Sequence, residues 1–273
     1  MRKISALLLV LILAFTLGAC GKDSSTASSE KKEIKIGATS GPYADMVKKA
    51  IAPQLEKDGY KVEVVEFNDY MQPNISLGNS SIDANLFQHK IYMETFAKEH
   101  KLKLSELIIV PTAPMGIYSD KLKDLNEIKK GTTIAVPNDP TNLARALKIL
   151  EDAGIIKLDP AADPLTISEK DVTDNPKGLV FKPLEAAQLP RAVESVDLSA
   201  VPGNFALAAK MDLLEALQLE DMPEEYRNRV VVNKKDLNSD FAKAIKKAVE
   251  SDEFEKTIDS EFKGFGKPEW MGK

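Results

Sequence analysis

Apolar and polar positions alternate from Glu33 to Thr39, with Ile34, Ile36 and Ala38 on one face, and predict a strand. Gly41-Pro42 interrupts the pattern. From Tyr43 to Glu56 the apolar residues Met46, Val47, Ala50, Ile51 and Leu55 recur at helical spacing, and Gly59 closes that unit. Lys61 to Phe67 predicts a second strand through Val62, Val64 and Val65. Tyr70 to Asn79 predicts a helix with Pro73 in its first turn. Ile82 to Phe87 predicts a third strand. The order β-α-β-α-β points to a parallel sheet with helical crossovers.

Leu107 to Tyr118 is apolar and broken by Pro111 and Pro114, as expected of a connection between two bodies. A second α/β unit follows. Thr132 to Val136 predicts a strand. Asp139 is placed to cap a helix with Pro140 at its first position. Leu143, Leu147 and Leu150 form its apolar stripe, and Gly154 stops it. Leu179–Phe181 predicts a strand, Pro183–Ser195 a helix, Asp197–Val201 a strand and Phe205–Leu217 a helix. Arg229–Val232 predicts a last strand, and Phe241–Val249 and Phe254–Phe262 two terminal helices. The expected fold class is α/β with two lobes and two crossover segments forming a hinge, near 108–118 and 226–233. Lobe 1 is read as 33–110 with 230–273, and lobe 2 as 111–229. A cleft between two lobes favours a small ligand.

The N-terminus carries a different pattern. Met1-Arg2-Lys3 precedes ten unbroken apolar residues, Ala6 to Phe15, and then Leu17-Gly18-Ala19-Cys20. That run is shorter than the ~18–20 residues needed to span a bilayer and matches a signal-peptide core. Small residues directly before the single Cys of the chain resemble a bacterial lipobox. Residues 1–19 are therefore expected to be a lipoprotein signal peptide. Residues 20–32 are expected to be a lipidated Cys20 and a flexible, polar tether rich in Ser. Cleavage removes 19 residues, including Arg2 and Lys3 and no acid, and takes the formal charge from −5 to −7. A pI near 5.4 argues against nucleic acid as a partner. The expected location is the cell membrane, lipid-anchored on its extracytoplasmic face.

Catalytic signatures are missing. The two histidines, His89 and His100, stand eleven apart without helical i, i+4 spacing, so no metal site is expected. No nucleophile elbow, phosphate loop or dinucleotide fingerprint occurs. The expectation is a non-enzyme without a cofactor.

Binding chemistry is better represented. Phe67, Tyr70, Phe87 and Tyr92, four of 17 aromatics, fall within 26 residues, where an even spread places fewer than two. His89 lies among them. These residues follow strand ends, where open α/β sheets form ligand crevices, and aromatic faces pack well against a thioether. Asn142 and Arg145 share one helix face beside unpaired N–H groups, suited to a carboxylate. The spacing alone slightly favours a plain surface arginine. Asn204 and Asn228 suit either ligand contact or turn capping.

The runs Phe67-Asn68-Asp69-Tyr70, Ile82-Asp83-Ala84-Asn85-Leu86-Phe87-Gln88-His89-Lys90 and Val136-Pro137-Asn138-Asp139-Pro140-Thr141-Asn142-Leu143-Ala144-Arg145 resemble the methionine-binding lipoproteins (MetQ/NlpA family) of bacterial ABC importers. Pro114-Met115-Gly116-Ile117-Tyr118-Ser119 and Gln188-Leu189-Pro190-Arg191 add to the resemblance, which extends from about residue 33 to the end. It implies a type II-like periplasmic-binding-protein fold that closes on L-methionine and delivers it to a permease with a separate ATPase subunit. It also implies a monomer. By matching position, Tyr70, Phe87, His89 and Tyr92 enclose the side chain, Arg145 pairs with the carboxylate with support from Asn142, and Asn228 contacts the amino-acid backbone. Val201-Pro202-Gly203-Asn204-Phe205 departs from the Asn-x-x-Tyr form of some members, and Asn204 is read as taking over that contact. Relatives also bind D-methionine or Met-containing dipeptides. The other readings are binding of another small amino acid and a surface lipoprotein with an interaction role.

Overall fold

The computed structural model describes residues 32–272. The segments expected to be a signal peptide, a lipidated Cys20 and a tether, up to residue 31, lie outside the described residues. In chain order the strand β1 (Glu33–Thr39) leads into α1 (Pro42–Met46), which passes through a π-helical stretch (Val47–Ile51) into α2 (Ala52–Lys57). Then come β2 (Lys61–Phe67), α3 (Gln72–Gly78), β3 (Ala84–His89), α4 (Lys90–Glu99), β4 (Leu104–Ile109) and β5 (Gly116–Tyr118). β6 (Thr133–Pro137), α5 (Pro140–Asp152), the short β7 (Lys157–Leu158) and β8 (Val172–Asp174), β9 (Val180–Leu184), α6 (Leu189–Ala192) and β10 (Leu198–Val201) follow. The chain ends through α7 (Gly203–Ala208), β11 (Gln218–Leu219), β12 (Asn228–Asn233), α8 (Asp240–Val249) and α9 (Asp252–Glu261).

Two five-stranded sheets result, in the orders β2-β1-β3-β12-β4 and β11-β5-β10-β6-β9. β1 pairs in parallel with both β2 and β3, while β12 enters antiparallel between β3 and β4. In the second sheet β6 pairs in parallel with β9 and β10, and β5 and β11 run antiparallel at the far edge. The first core joins Ile34, Ile36 and Leu86 of the first sheet to Met46, Ile51 and Leu55 and to Phe241, Ile245, Phe254 and Ile258 of α8 and α9. The last two helices thus pack on the first sheet. The second sheet has its own core, with Ile117, Ile134, Val136, Leu147, Leu150 and Leu198 fully buried.

Most predicted strands and helices fall within a few residues of their expected places. Asp139 caps α5 by accepting the Asn142 N–H at 3.0 Å, and Gly154 adopts φ +72° just beyond its end. Four expectations are corrected. Pro183 does not open a helix; it lies in β9, an edge strand, where a residue without an N–H is tolerated. Of the segment Pro183–Ser195 only a 3-10 turn (Ala186–Gln188) and the one-turn α6 are helical.

The helix expected over Phe205–Leu217 ends at Ala208. Lys210 takes φ +64°, and its N–H bonds Leu207 O while the Met211 N–H bonds Ala206 O. This is a Schellman stop, built on a lysine rather than the glycine that would have signalled it. Leu107–Ile109, read as part of a connection, completes β4 at the sheet edge. The helix α4 corrects the expected turn beyond β3: Lys90–Glu99 is helical, and Tyr92 stands in its first turn, where the His89 side chain caps it.

Candidate functional site

Four strands that run parallel to a neighbour, β1, β3, β6 and β10, end on the same region of the molecule. Each is followed at once by a helix. The first turns of α1, α4, α5 and α7 deliver Tyr43, Tyr92, Asn142 and Asn204 to one cavity, and the second turn of α5 adds Arg145. This is the crevice outside the carboxyl ends of strands that open α/β sheets provide.

All eight predicted residues line this cavity: Tyr70, Phe87, His89, Tyr92, Asn142, Arg145, Asn204 and Asn228. Phe67 does not; it packs with Val65, Leu77 and Ile82 in a separate core cluster. Sequence reasoning missed Tyr43, Gln88 and Thr112. Tyr43 follows the Gly41-Pro42 break after a parallel strand, so topology was a usable signal for it. Gln88 lay inside a quoted motif and received no role.

Tyr70, Phe87 and Tyr92 form an aromatic wall with ring centroids 5.7–5.9 Å apart in every pair. Phe205 adds a fourth ring 5.0 Å from Tyr70. The Tyr92 hydroxyl donates to Tyr70 O at 3.1 Å and fixes the wall. Burial pushes both phenols above their ordinary range, so they stay neutral donors.

Beneath the wall lies a network of buried amides. Asn74 and Gln88 exchange two side-chain hydrogen bonds of 2.7 and 2.6 Å, and Asn85 joins both residues. The network explains why β3, buried throughout, can contain the polar Asn85 and Gln88. Each amide is satisfied, which is the condition for burying it.

His89 caps α4. Its Nδ1 accepts the Tyr92 N–H at 3.2 Å, so the proton sits on Nε2, which donates to Asn142 Oδ1 at 3.3 Å. Burial, and then the nearby Arg145, hold its pKa well below the usual histidine range. The ring is therefore neutral. Asn142 Oδ1 also accepts from Arg145 Nη1 at 2.9 Å, while its Nδ2 donates to Asp139. Asn228 donates to Phe87 O at 2.9 Å. Asn204 accepts from the Tyr70 hydroxyl, and its Nδ2 is buried without a partner among the described residues. An orphaned donor in a cavity wall is a ready contact for an acceptor.

Arg145 is the one charged residue among the described lining residues apart from neutral His89. Its counter-ion is Glu220, which no motif singled out. Arg145 Nε and Nη2 bind the two Glu220 oxygens at 2.8 and 2.6 Å, and the two side chains are only 7% and 6% exposed. Burial opposes the arginine's charge, but Glu220 outweighs it and holds the pKa above its ordinary value. Three of the five guanidinium N–H groups are engaged, leaving one on each terminal nitrogen. The Tyr226 ring lies 5.3 Å from the guanidinium.

Beyond Tyr70 and Tyr92 a wider cavity of about 270 Å³ is lined by Met71, Phe96, Glu99, Asp139 and Glu185. The two tyrosines form its shared wall with the inner space. Among the described residues no group of three or more His, Cys, Asp or Glu is placed to hold a metal, and no helix is long and apolar enough to cross a membrane.

Comparison with known proteins places these features in context. The family model for NlpA lipoprotein matches residues 34–270. The D-methionine-binding lipoprotein MetQ of Salmonella typhi is 35% identical over 263 residues, 95% of each chain. MetQ of Escherichia coli K12 is 34% identical over the same coverage. A nutrient-binding protein of Burkholderia cenocepacia, solved bound to methionine, superposes with a TM-score of 0.81 at 37% identity, covering 85% of this chain and 97% of that one.

Proposed function

The chain belongs to the NlpA lipoprotein family, and from that premise we propose that it is the substrate-binding component of an ABC importer, with methionine as its cargo. One observation carries this reading. Eight residues singled out in the sequence, from five separated stretches, meet around one cavity that combines an aromatic wall, a single cation among the described lining residues and an orphaned amide donor. A zwitterionic amino acid with an apolar tail matches that set. The tail lies along Tyr70, Phe87 and Tyr92, where sulfur packs well on rings. The carboxylate takes the remaining N–H groups of Arg145 and the free donor of Asn204. His89, being neutral, adds no charge. Asn228 lies where the amino-acid backbone passes.

The two sheets with their helices act as lobes, residues 33–110 with 230–273 and residues 111–229. They close over the ligand through the segments that link them. Closure removes water from the ion pair and strengthens it. The closed form is read by a membrane permease whose ATPase is another subunit. Cys20 carries the lipid that holds the protein on the extracytoplasmic face of the membrane. The proposed role is binding rather than catalysis, in keeping with a substrate-binding lipoprotein family.

Titration of L-methionine and D-methionine into ligand-stripped protein tests the reading. Saturable one-to-one binding at micromolar affinity or tighter is expected for at least one of the two. Silence with both, and with Met-containing dipeptides, overturns it.

A further inference from the structure

Glu220 is unlike the other acidic residues near the cavity. It follows β11, and the backbone of Met115 fixes it at both ends: its N–H donates to Met115 O at 2.9 Å, and its Oε2 accepts the Met115 N–H at 3.1 Å. Its carboxylate then takes the Nε–Nη2 edge of Arg145 in bidentate form, the strongest geometry for that pair. Glu220 does not line the cavity; Arg145 stands between them. Among the described residues the cavity wall contains no carboxylate. Asp139, behind Asn142, is half-buried at the start of α5, where the helix N-terminus offsets its charge.

The wall therefore presents a fixed positive group whose charge is already balanced from behind. A ligand of zero net charge leaves this balance intact. A ligand that brings a carboxylate without an ammonium adds an uncompensated negative charge to a buried site, where Coulomb interactions are poorly screened.

We propose that Glu220 is the specificity-determining residue that makes the cavity select zwitterionic amino acids over their anionic analogues, by neutralising Arg145 before the ligand arrives. This rests on the methionine-binding reading. It adds the statement that charge selection resides in a residue that does not touch the ligand. Glu220 is thus a positioning and charge-balancing residue.

The test uses the full chain and two probes, L-methionine and its 2-hydroxy analogue, in which a hydroxyl replaces the ammonium. The readout is the ratio of their dissociation constants. Wild type is expected to prefer methionine by at least about 100-fold, since a buried unbalanced charge is costly. Glu220→Gln is expected to narrow that ratio at least about tenfold, because the site then carries a net positive charge that the anion satisfies. Glu220→Asp keeps the charge and is expected to keep the preference.

A ratio near one in wild type, an unchanged ratio in Glu220→Gln, or equal shifts in the Gln and Asp variants overturns the proposal; the last would mean packing rather than charge. If Glu220→Gln fails to fold, the wild-type and Asp ratios carry the test. Wild type that binds neither compound defeats the methionine reading itself, a result distinct from a methionine binder without charge selection.

Discussion

The Tyr70 hydroxyl donates to Asn204 Oδ1 at 2.6 Å, joining the segment that follows β2 to the first turn of α7, 134 residues away. The contact links the first sheet's aromatic wall to the second sheet's end of the cavity. Tyr70→Phe keeps the ring and removes the donor, so the buried Asn204 amide is left without a partner at either end. Unfolding in urea is expected to show a loss of about 1–3 kcal/mol. An unchanged midpoint would mean that the bond adds nothing to stability.

Arg145→Ala removes the one cation of the cavity wall and strands Glu220. Methionine affinity is expected to fall by about 2–5 kcal/mol in titration calorimetry. Stability is expected to fall by about 3–5 kcal/mol, because half of a buried pair remains. The double change Arg145→Ala with Glu220→Gln separates the two effects: it restores stability and leaves binding lost. Full affinity in the single variant would remove Arg145 from the ligand site.

His89 governs a pH dependence with a defined sign. Its folded pKa is depressed below the ordinary 6.5 by burial and by Arg145. Below 6.5 the unfolded chain binds a proton that the folded chain refuses, so stability falls as pH falls. The slope approaches about 1.4 kcal/mol per pH unit. Glu66, Glu151, Asp171 and Asp197 have lowered pKa values and weaken the fold only at more acid pH, below their ordinary values of 4.5 and 3.8. Thermal unfolding between pH 7 and 5 is expected to show the slope in wild type and a flat response in His89→Gln. Equal slopes in the two proteins would assign the effect to another group.

Gly203 opens α7 against the segment that leaves the first sheet. A Cβ built there would lie 2.4 Å from Pro114 O and 2.7 Å from Ala113 Cβ. The first of these is backbone, and nothing flexible can yield. Gly203→Ala is expected to lower stability by about 1–3 kcal/mol and to weaken methionine binding, since Ala113, Gly203 and Asn204 all line the cavity. A variant with wild-type melting and affinity would show that the contact relaxes freely.

The sequence by itself determined the local elements and much of the site's inventory. Alternation placed β1 and β2 at their observed bounds, and the Asp139-Pro140 pair marked the start of α5 with its cap. These features are legible because they depend on near neighbours: pleat alternation, helical period and a side chain reaching two or three residues along. Long family motifs marked Tyr70, Phe87, His89, Tyr92, Asn142, Arg145 and Asn228, while strand-end topology pointed to Asn204 as a polar candidate. The stop after Ala208 is not legible because Ala, Lys and Met favour helix; in the fold the Met211 N–H turns back onto Ala206 O and the Met211 side chain packs on the third core cluster.

Only the tertiary structure decided what each site residue faces. Glu220 and Arg145 are 75 positions apart, and no periodicity relates them. They meet because β11 pairs antiparallel with β5 and carries Glu220 to Met115. Whether Arg145 is a surface arginine or a buried, balanced cation is set by that strand pairing. A buried charge is stable only beside the partner the fold brings to it, and a chain read one residue after another does not contain that distance.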